Sequence, residues 1–177
     1  MLRLLLATAA LAAALPQAAA AQEVYGGIYA HGVDTPFTLD TGEGGTAVQL
    51  GYRFPPVELP LIGGPEPYLF ASVNLNGDTN FAGGGFSWKA ELGPVYLRPG
   101  VGIVIHDAPS LRVDPVTRNR TDLGSRVLFA PEIAIGTAIA PRLTLEASWV
   151  HISNARLFNN EQNPGIDTIG LRLNWQL

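Results

Sequence analysis

The sequence contains no cysteine, only one methionine and few charged residues. The absence of cysteine excludes disulfides, thiolate catalysis and cysteine-based zinc or iron–sulfur sites. Three histidines without an acidic or histidine-rich cluster do not support a transition-metal site, so no metal or cofactor is predicted. Charged residues make up 15% of the chain, against about 25% in soluble domains. The net charge of −4 argues against a nucleic-acid partner.

Long hydrophobic runs are also missing after the N-terminus, where no segment reaches the roughly 18 apolar residues of a membrane-spanning helix. The first 21 residues have a basic start, an apolar stretch and a run of small residues. This three-part pattern predicts a secretory signal peptide over residues 1–21, cleaved before Gln22, and a mature domain over residues 22–177. Export without cysteine indicates a bacterial envelope protein.

Apolar residues alternate with polar or small residues along most of the mature chain, which is the periodicity of a β-strand. In the last segment, for example, each odd position from 169 to 177 is apolar and each even position is polar or glycine. The alternation predicts eight strands, at about residues 23–32, 44–55, 66–76, 79–92, 94–106, 126–139, 142–154 and 165–177.

These predicted strands are longer than those of soluble proteins, which average about 5 or 6 residues. A tilted strand needs about 9 to 11 residues to cross a membrane. Short turns, at 76–78, 93–94 and 140–142, are assigned to one end, and longer loops, at 107–125 and 155–164, to the other. The strand lengths, the even number of strands and the arrangement of turns and loops together predict an all-β, eight-stranded antiparallel transmembrane β-barrel in the outer membrane.

Charged side chains in the predicted strands fall on the small or polar face, which we assign to the barrel interior. They are Lys89, Glu91, Arg98, Glu132, Glu146 and Arg172. Side chains just fill an eight-stranded barrel, and buried charges there must be paired. We therefore expect a side-chain-filled interior and no pore. The alternative, a soluble lipocalin-like barrel, would crowd Leu, Ile and Trp inside and leave few charges outside.

Two short stretches carry candidate chemistry, H-I-S-N at 151–154 and N-P-G-I-D at 163–167. His151 and Ser153 share one face of a strand, and Asp167 opens the next strand of an antiparallel hairpin. A serine needs a base to become a nucleophile, and a carboxylate orients that base. All three residues continue the apolar, lipid-facing rows at their loop-side end, which suits a substrate lying in the membrane. The competing interpretation is three ordinary polar residues at the membrane rim.

These stretches, together with the strand that follows them, resemble the lipid A 3-O-deacylases of Gram-negative outer membranes, the PagL family. The resemblance implies a serine esterase that removes the ester-linked acyl chain at position 3 of lipid A. By motif position, Ser153 would be the nucleophile, His151 the base and Asp167 the orienting acid. Asn154 and Asn163 would support the oxyanion or the loop geometry.

Two positions depart from the family pattern. The family carries Glu where this chain has Asp167, and Glu161 lies close enough in sequence to be an alternative acid. Arg156 stands where glycine is familiar. Its guanidinium could bind a lipid A phosphate, and the alternative is a solvated loop charge. The two other histidines, His31 and His106, are isolated near strand ends and are interpreted as rim residues.

The expected partners follow from the same resemblance. Lipid A in the outer membrane is the implied substrate. The last strand ends on apolar residues at alternate positions, including Trp175 and Leu177, which resembles the terminal signal read by the outer-membrane assembly machinery. A homodimer and acyl transfer to another lipid both stay open. The competing function is a non-catalytic structural or adhesive barrel, which would need no contact between Ser153 and His151.

Overall fold

The computed structural model describes residues 22–38, 41–109, 111–113, 120–157 and 163–177, so the predicted signal peptide lies outside the described residues. Among these residues, none forms a helix long and apolar enough to span a membrane. The strands are β1 (Glu23–His31), β2 (Thr46–Arg53), β3 (Glu66–Asn74), β4 (Phe81–Ser87), β5 (Ala90–Leu92), β6 (Val95–His106), β7 (Arg112–Val113), β8 (Arg120–Thr121), β9 (Val127–Phe129), β10 (Glu132–Ala140), β11 (Leu143–Ile152) and β12 (Ile166–Gln176).

The strands close into an antiparallel barrel. Neighbours pair in the order β1-β2-β3-β4-β6-β10-β11-β12, and β12 pairs back with β1. β5 and β9 both pair with β6, so they continue β4 and β10 respectively. β7 and β8 form a small separate hairpin. The predicted eight-stranded barrel is confirmed, with strand positions close to those expected.

The distribution of short and long connections differs from the prediction at one turn. The barrel has eight strands when β4 and β5 are counted as one and β9 and β10 as another. The chain reverses direction after each of them, so the connections after β1, β3, β6 and β11 lie at one end, which we call the loop end. The turn at 76–78 joins β3 to β4 and therefore lies at the loop end, not with the turns at 93–94 and 141–142. Its assignment was wrong because the turns at 76–78 and 93–94 are consecutive, and consecutive hairpin turns lie at opposite ends of the strand between them.

Paired charges fill the half of the interior away from the loop end. Arg98 contacts Glu23 at 2.8 Å and Glu146 at 3.4 Å, and Arg172 contacts Glu132 and Glu146 at 2.5 Å each. The side chains of these residues are 0–10% exposed. The predicted pairing of interior charges is confirmed, and it matters because an unpaired charge buried here would be strongly destabilising.

Three further interior charges, Glu23, Arg53 and Glu66, were not singled out from the sequence. Arg53 bonds Glu23, which lies directly across from it on β1, and approaches Glu66 at 3.8 Å. Lys89 and Glu91 pair at 2.8 Å and are more exposed than the central network. The network therefore links seven of the eight barrel strands at this end, because its charged residues lie on β1, β2, β3, β6, β10, β11 and β12.

Apolar side chains fill the interior nearer the loop end and cover the outer wall. The interior cluster includes Phe70, Phe81, Val104, Leu128, Val150, Ile152 and Ile166. Exposed apolar residues repeat along the outward rows, among them Ile28, Leu50, Leu69, Ile103, Ile135 and Leu171. An outer wall of this kind is what the hydrocarbon region of a membrane requires. The barrel thus presents strands β11 and β12 to lipid on one side and to a packed core on the other.

Candidate active site

The candidate site lies where β11 and β12 meet at the loop end. His151 and Asp167 are direct partners across the two strands. Their neighbours Val150, Ile152 and Ile166 point inward and are at most 1% exposed, so burial of these apolar side chains fixes the phase of both strands. A slip of one residue would bury His151 and expose the interior row. His151 and Asp167 consequently occupy the outward rows, as the alternation predicts.

The imidazole of His151 and the carboxylate of Asp167 form a close pair. Nδ1 of His151 donates a hydrogen bond to Oδ1 of Asp167 at 2.6 Å. The histidine side chain is 17% exposed, whereas the aspartate side chain is fully buried. Because Nδ1 is held by the carboxylate, Nε2 is the ring nitrogen that can take a proton from another group.

Asp167 is buried although it lies on the outward row. The segment after β1 covers it: the hydroxyl of Thr35 donates to Oδ2, and the amide of Val33 donates to the main-chain carbonyl at 3.0 Å. Phe37, two residues further, packs against Trp149 with the ring centroids 5.5 Å apart. Sequence reasoning missed these residues, since Thr35 and Asp167 are 132 positions apart and no local pattern links them.

Ser153 follows His151 on the same outward row. Its amide and carbonyl pair with Phe129, at 3.0 and 2.8 Å, which extends the sheet by one bridge beyond β11. The residue is 6% exposed. In the described part of the chain the hydroxyl makes no hydrogen bond to His151. The two residues are therefore neighbours on one surface, without the direct contact that a serine–histidine pair makes during proton transfer.

The backbone at position 165 explains why the N-P-G-I-D stretch has a glycine there. Its φ is +66°, a backbone conformation that residues with a side chain rarely adopt. A Cβ placed on it would lie 2.7 Å from Cε1 and 3.4 Å from Nε2 of His151. Any side chain at 165 would therefore displace the imidazole at the edge that has to remain accessible.

Asn154 and Asn163 hold the start and the end of the loop between β11 and β12 together. The amide of Asn154 donates to Oδ1 of Asn163 at 3.0 Å. Nδ2 of Asn154, which is buried, donates to the carbonyl of Leu123 at 3.0 Å. Its Oδ1 accepts from the amide of Arg156 at 2.6 Å. Of the two predicted roles, these contacts correspond to support of the loop.

Of the two remaining histidines, His31 differs from the expected rim residue, whereas His106 ends β6 at the loop end as expected. His31 is buried inside the barrel, where Nε2 lies 2.8 Å from Oε2 of Glu43. His106 is partly buried and its Nε2 donates to the carbonyl of Ser125 at 2.6 Å. His31 was misplaced because it ends β1 on the inward phase, which its isolated position in the sequence does not show.

A comparison with known sequence families identifies the family of this barrel. Residues 27–176 match the model of the family described as lipid A 3-O-deacylase (PagL). The chain belongs to the PagL family. The match includes both stretches of the candidate site, and membership places the chain in the outer membrane, among enzymes that deacylate lipid A. No curated protein sequence matches the chain.

Solved structures agree with the PagL family at the level of the fold. The structure described as the outer membrane enzyme PagL is 16% identical, with a TM-score of 0.60 over 88% of this chain and 99% of that one. Neisserial surface protein A is 7% identical, with a TM-score of 0.57 over 91% and 100%. A de novo designed transmembrane β-barrel is 11% identical, with a TM-score of 0.54 over 92% and 100%.

Both departures from the PagL family pattern lie around the β11–β12 loop. Arg156, in place of the familiar glycine, has a φ of +59°, and Ala155 before it has a φ of +53°. Two consecutive residues in the left-handed region explain why glycine suits this turn. The Arg156 side chain is exposed, which fits either of its predicted roles. Glu161 lies outside the described residues.

Proposed function

We propose that this PagL family member hydrolyses the ester that joins an acyl chain to position 3 of lipid A, by a Ser-His-Asp mechanism. Ser153 is the nucleophile, His151 the general base and Asp167 the residue that orients it. The observation that supports this most directly is the 2.6 Å bond from His151 to Asp167 on the outward row that Ser153 continues. A carboxylate on Nδ1 leaves Nε2 as the proton acceptor, which is the tautomer that activates a serine.

The reaction has two steps that use the same residues. The Ser153 oxygen attacks the ester carbonyl carbon while His151 Nε2 takes its proton. The tetrahedral intermediate then collapses, and His151 returns the proton to the departing sugar oxygen, leaving the acyl chain on Ser153. Water, deprotonated by His151, attacks this acyl-enzyme and releases the fatty acid. Asp167 stays ionised throughout and stabilises the imidazolium.

The distance between the serine and the histidine has to shorten for this mechanism. Catalytic hydrogen bonds are often long or poorly aligned in structures without substrate and tighten when it binds. His151 and Ser153 lie two residues apart on one row, so the contact needs movement of their side chains and no change of strand register. Because residue 165 is glycine, it places no side chain against Cε1 and Nε2 of the imidazole.

The outward position of the site matches a lipid substrate. Leu145, Ala147 and Trp149 precede His151 on the same outward row of β11, and the outer wall around them is apolar. An acyl chain can remain in the hydrocarbon while its ester, at the level of the headgroups, reaches Ser153. A luminal site would instead require the acyl chain to enter an interior that charged and apolar side chains already fill.

Lipid A from cells that express each variant tests the proposal. We expect lipid A from cells with the wild-type protein to lack the acyl chain at position 3, and lipid A from cells with Ser153→Ala to retain it, as measured by mass spectrometry. Ser72→Ala is the matched control, because this buried serine hydroxyl has no hydrogen-bond partner in the described part of the chain. Loss of the chain with Ser153→Ala would refute the nucleophile assignment. A reaction in water labelled with heavy oxygen separates hydrolysis from acyl transfer. Hydrolysis places the label in free fatty acid, whereas acyl transfer moves the acyl chain to another lipid without the label.

A further inference from the structure

The segment that follows β1 forms part of the wall around the candidate site. It makes two bonds to Asp167, from the Thr35 hydroxyl to the carboxylate and from the Val33 amide to the main-chain carbonyl. Its third attachment is the packing of Phe37 on Trp149, which lies on the outward row before His151. These contacts hold the segment against the outer face of β11 and β12.

The hydroxyl of Thr35 has a fixed direction. Its oxygen accepts a hydrogen bond from the amide of Phe37 at 3.1 Å, so its proton is committed to Asp167. The amide of Thr35 in turn donates to the hydroxyl of Thr38 at 3.1 Å, and that hydroxyl donates back to the Thr35 carbonyl at 3.3 Å. The Thr38 hydroxyl therefore contacts only main-chain atoms of Thr35, whereas the amide of Phe37 directs the Thr35 hydroxyl.

Each oxygen of the Asp167 carboxylate has its own donor. Oδ1 accepts from His151 Nδ1, and Oδ2 accepts from Thr35. A carboxylate held at both oxygens cannot rotate away from the imidazole. Because the side chain of Asp167 is fully buried, water is not available to replace a lost donor, and each hydrogen bond to the charged group carries more weight than it would on the surface.

We propose that Thr35 is a positioning residue of this enzyme, which fixes the Asp167 carboxylate and through it the orientation and basicity of His151. The inference rests on the proposed Ser-His-Asp mechanism, because it assigns to Thr35 a role in that triad. Thr35 acts through Asp167 and does not touch the reacting ester. It belongs to a loop that neither of the two site motifs includes.

The loss of this donor changes how the histidine–aspartate pair binds protons. With His151 neutral and Asp167 ionised, the pair carries one negative charge, which the Thr35 hydroxyl stabilises. Without that donor the pair takes up a proton more readily, so the base is protonated at higher pH and the acid limb of the rate profile moves to higher pH. Around this pair, Asp34 and Arg156 are exposed, and His31 pairs with Glu43 inside the barrel. The other charged groups of β1, β11 and β12, which are Glu23, Glu146 and Arg172, face inward and belong to the interior charge network.

The decisive comparison is among Thr35→Val, Thr35→Ser and Thr38→Val in the purified full-length protein. Thr35→Val keeps the shape and removes the donor, Thr35→Ser keeps the donor, and Thr38→Val disturbs the same turn without touching Asp167. We expect Thr35→Val to lower kcat roughly tenfold, the effect of about one charged hydrogen bond, with little change in KM. Its acid limb should move to higher pH, while Thr35→Ser and Thr38→Val stay close to the wild type.

A second measurement separates this inference from the proposed function. Nitrogen NMR of the His151 imidazole reports its protonation without turnover, and Thr35→Val should make it titrate at higher pH. An unchanged imidazole titration and rate profile in Thr35→Val would overturn the inference, as would equal shifts in Thr35→Val and Thr38→Val, which would indicate disturbance of the loop. Full activity in Ser153→Ala would instead refute the proposed mechanism and leave the NMR comparison valid.

Discussion

The loop end of the barrel holds two histidine–carboxylate pairs, His151 with Asp167 and His31 with Glu43. Their N–O distances are similar, 2.6 and 2.8 Å. They also lie close together along β12, since Asp167 faces His151 and the next residue, Thr168, faces His31. The pairs differ in phase: Asp167 is on the outward row, and Thr168 and His31 are on the inward row.

This difference in phase separates a candidate site from a structural contact. The outward imidazole is 17% exposed, lies beside Gly165 and shares its row with Ser153. The inward pair is enclosed, with both side chains at most 2% exposed. Glu43 also accepts from the hydroxyl and amide of Thr79, at 2.6 and 3.0 Å. The inward carboxylate therefore fastens the loop after β1 to the turn after β3, whereas the outward one is positioned to orient a base.

The largest expected effect comes from removing each histidine in turn. His151→Ala should lower kcat/KM about a thousandfold or more, since removing one triad member removes most of the chemical step, and should lose about 1 to 3 kcal/mol of stability, because it leaves the buried Asp167 with one donor fewer. His31→Ala should keep the activity and lose about 1 to 3 kcal/mol of stability, because it leaves the buried Glu43 without its partner. Deacylation assays and thermal melts in detergent measure both. Activity loss in a stably folded His31→Ala would contradict the assignment of roles.

The second-largest expected effect comes from replacing the carboxylates of the two pairs. Asp167→Asn keeps the size and removes the charge that stabilises the imidazolium, so we expect kcat to fall by at least about a hundredfold. Glu161→Gln should remain close to the wild type, and Glu43→Gln should affect stability rather than turnover. The same deacylation assay ranks the three variants. If Glu161→Gln is the most impaired, the acid of the triad is Glu161 and the bond from His151 to Asp167 has a structural role.

The outward pair was predictable from the sequence because it depends on local order. Alternation predicted the rows of β11 and β12, and the antiparallel pairing of these consecutive strands brings His151 opposite Asp167. The interior charges followed from the same alternation, as the pairing of Arg98 and Arg172 with glutamates shows. In both cases, the information lies within one strand or between neighbouring strands.

The contacts that complete the site come from distant segments. Thr35 reaches Asp167 only because barrel closure places β1 beside β12, and Glu43 meets His31 through the fold of the loop after β1. A polar residue in such a loop has no periodicity that would mark its partner.

The smallest expected effect concerns Arg156, which belongs to the loop above the outward pair. Its φ of +59° costs about 1 kcal/mol for a residue with a side chain. Arg156→Gly relieves that cost and removes the guanidinium, whereas Arg156→Gln removes the charge and keeps the backbone cost. If the charge is only solvated, Arg156→Gly should raise the melting temperature slightly, and KM for lipid A should be unchanged in both variants. We expect this outcome. A rise in KM of similar size in both variants, abolished with dephosphorylated lipid A, would instead assign Arg156 to a phosphate of the substrate.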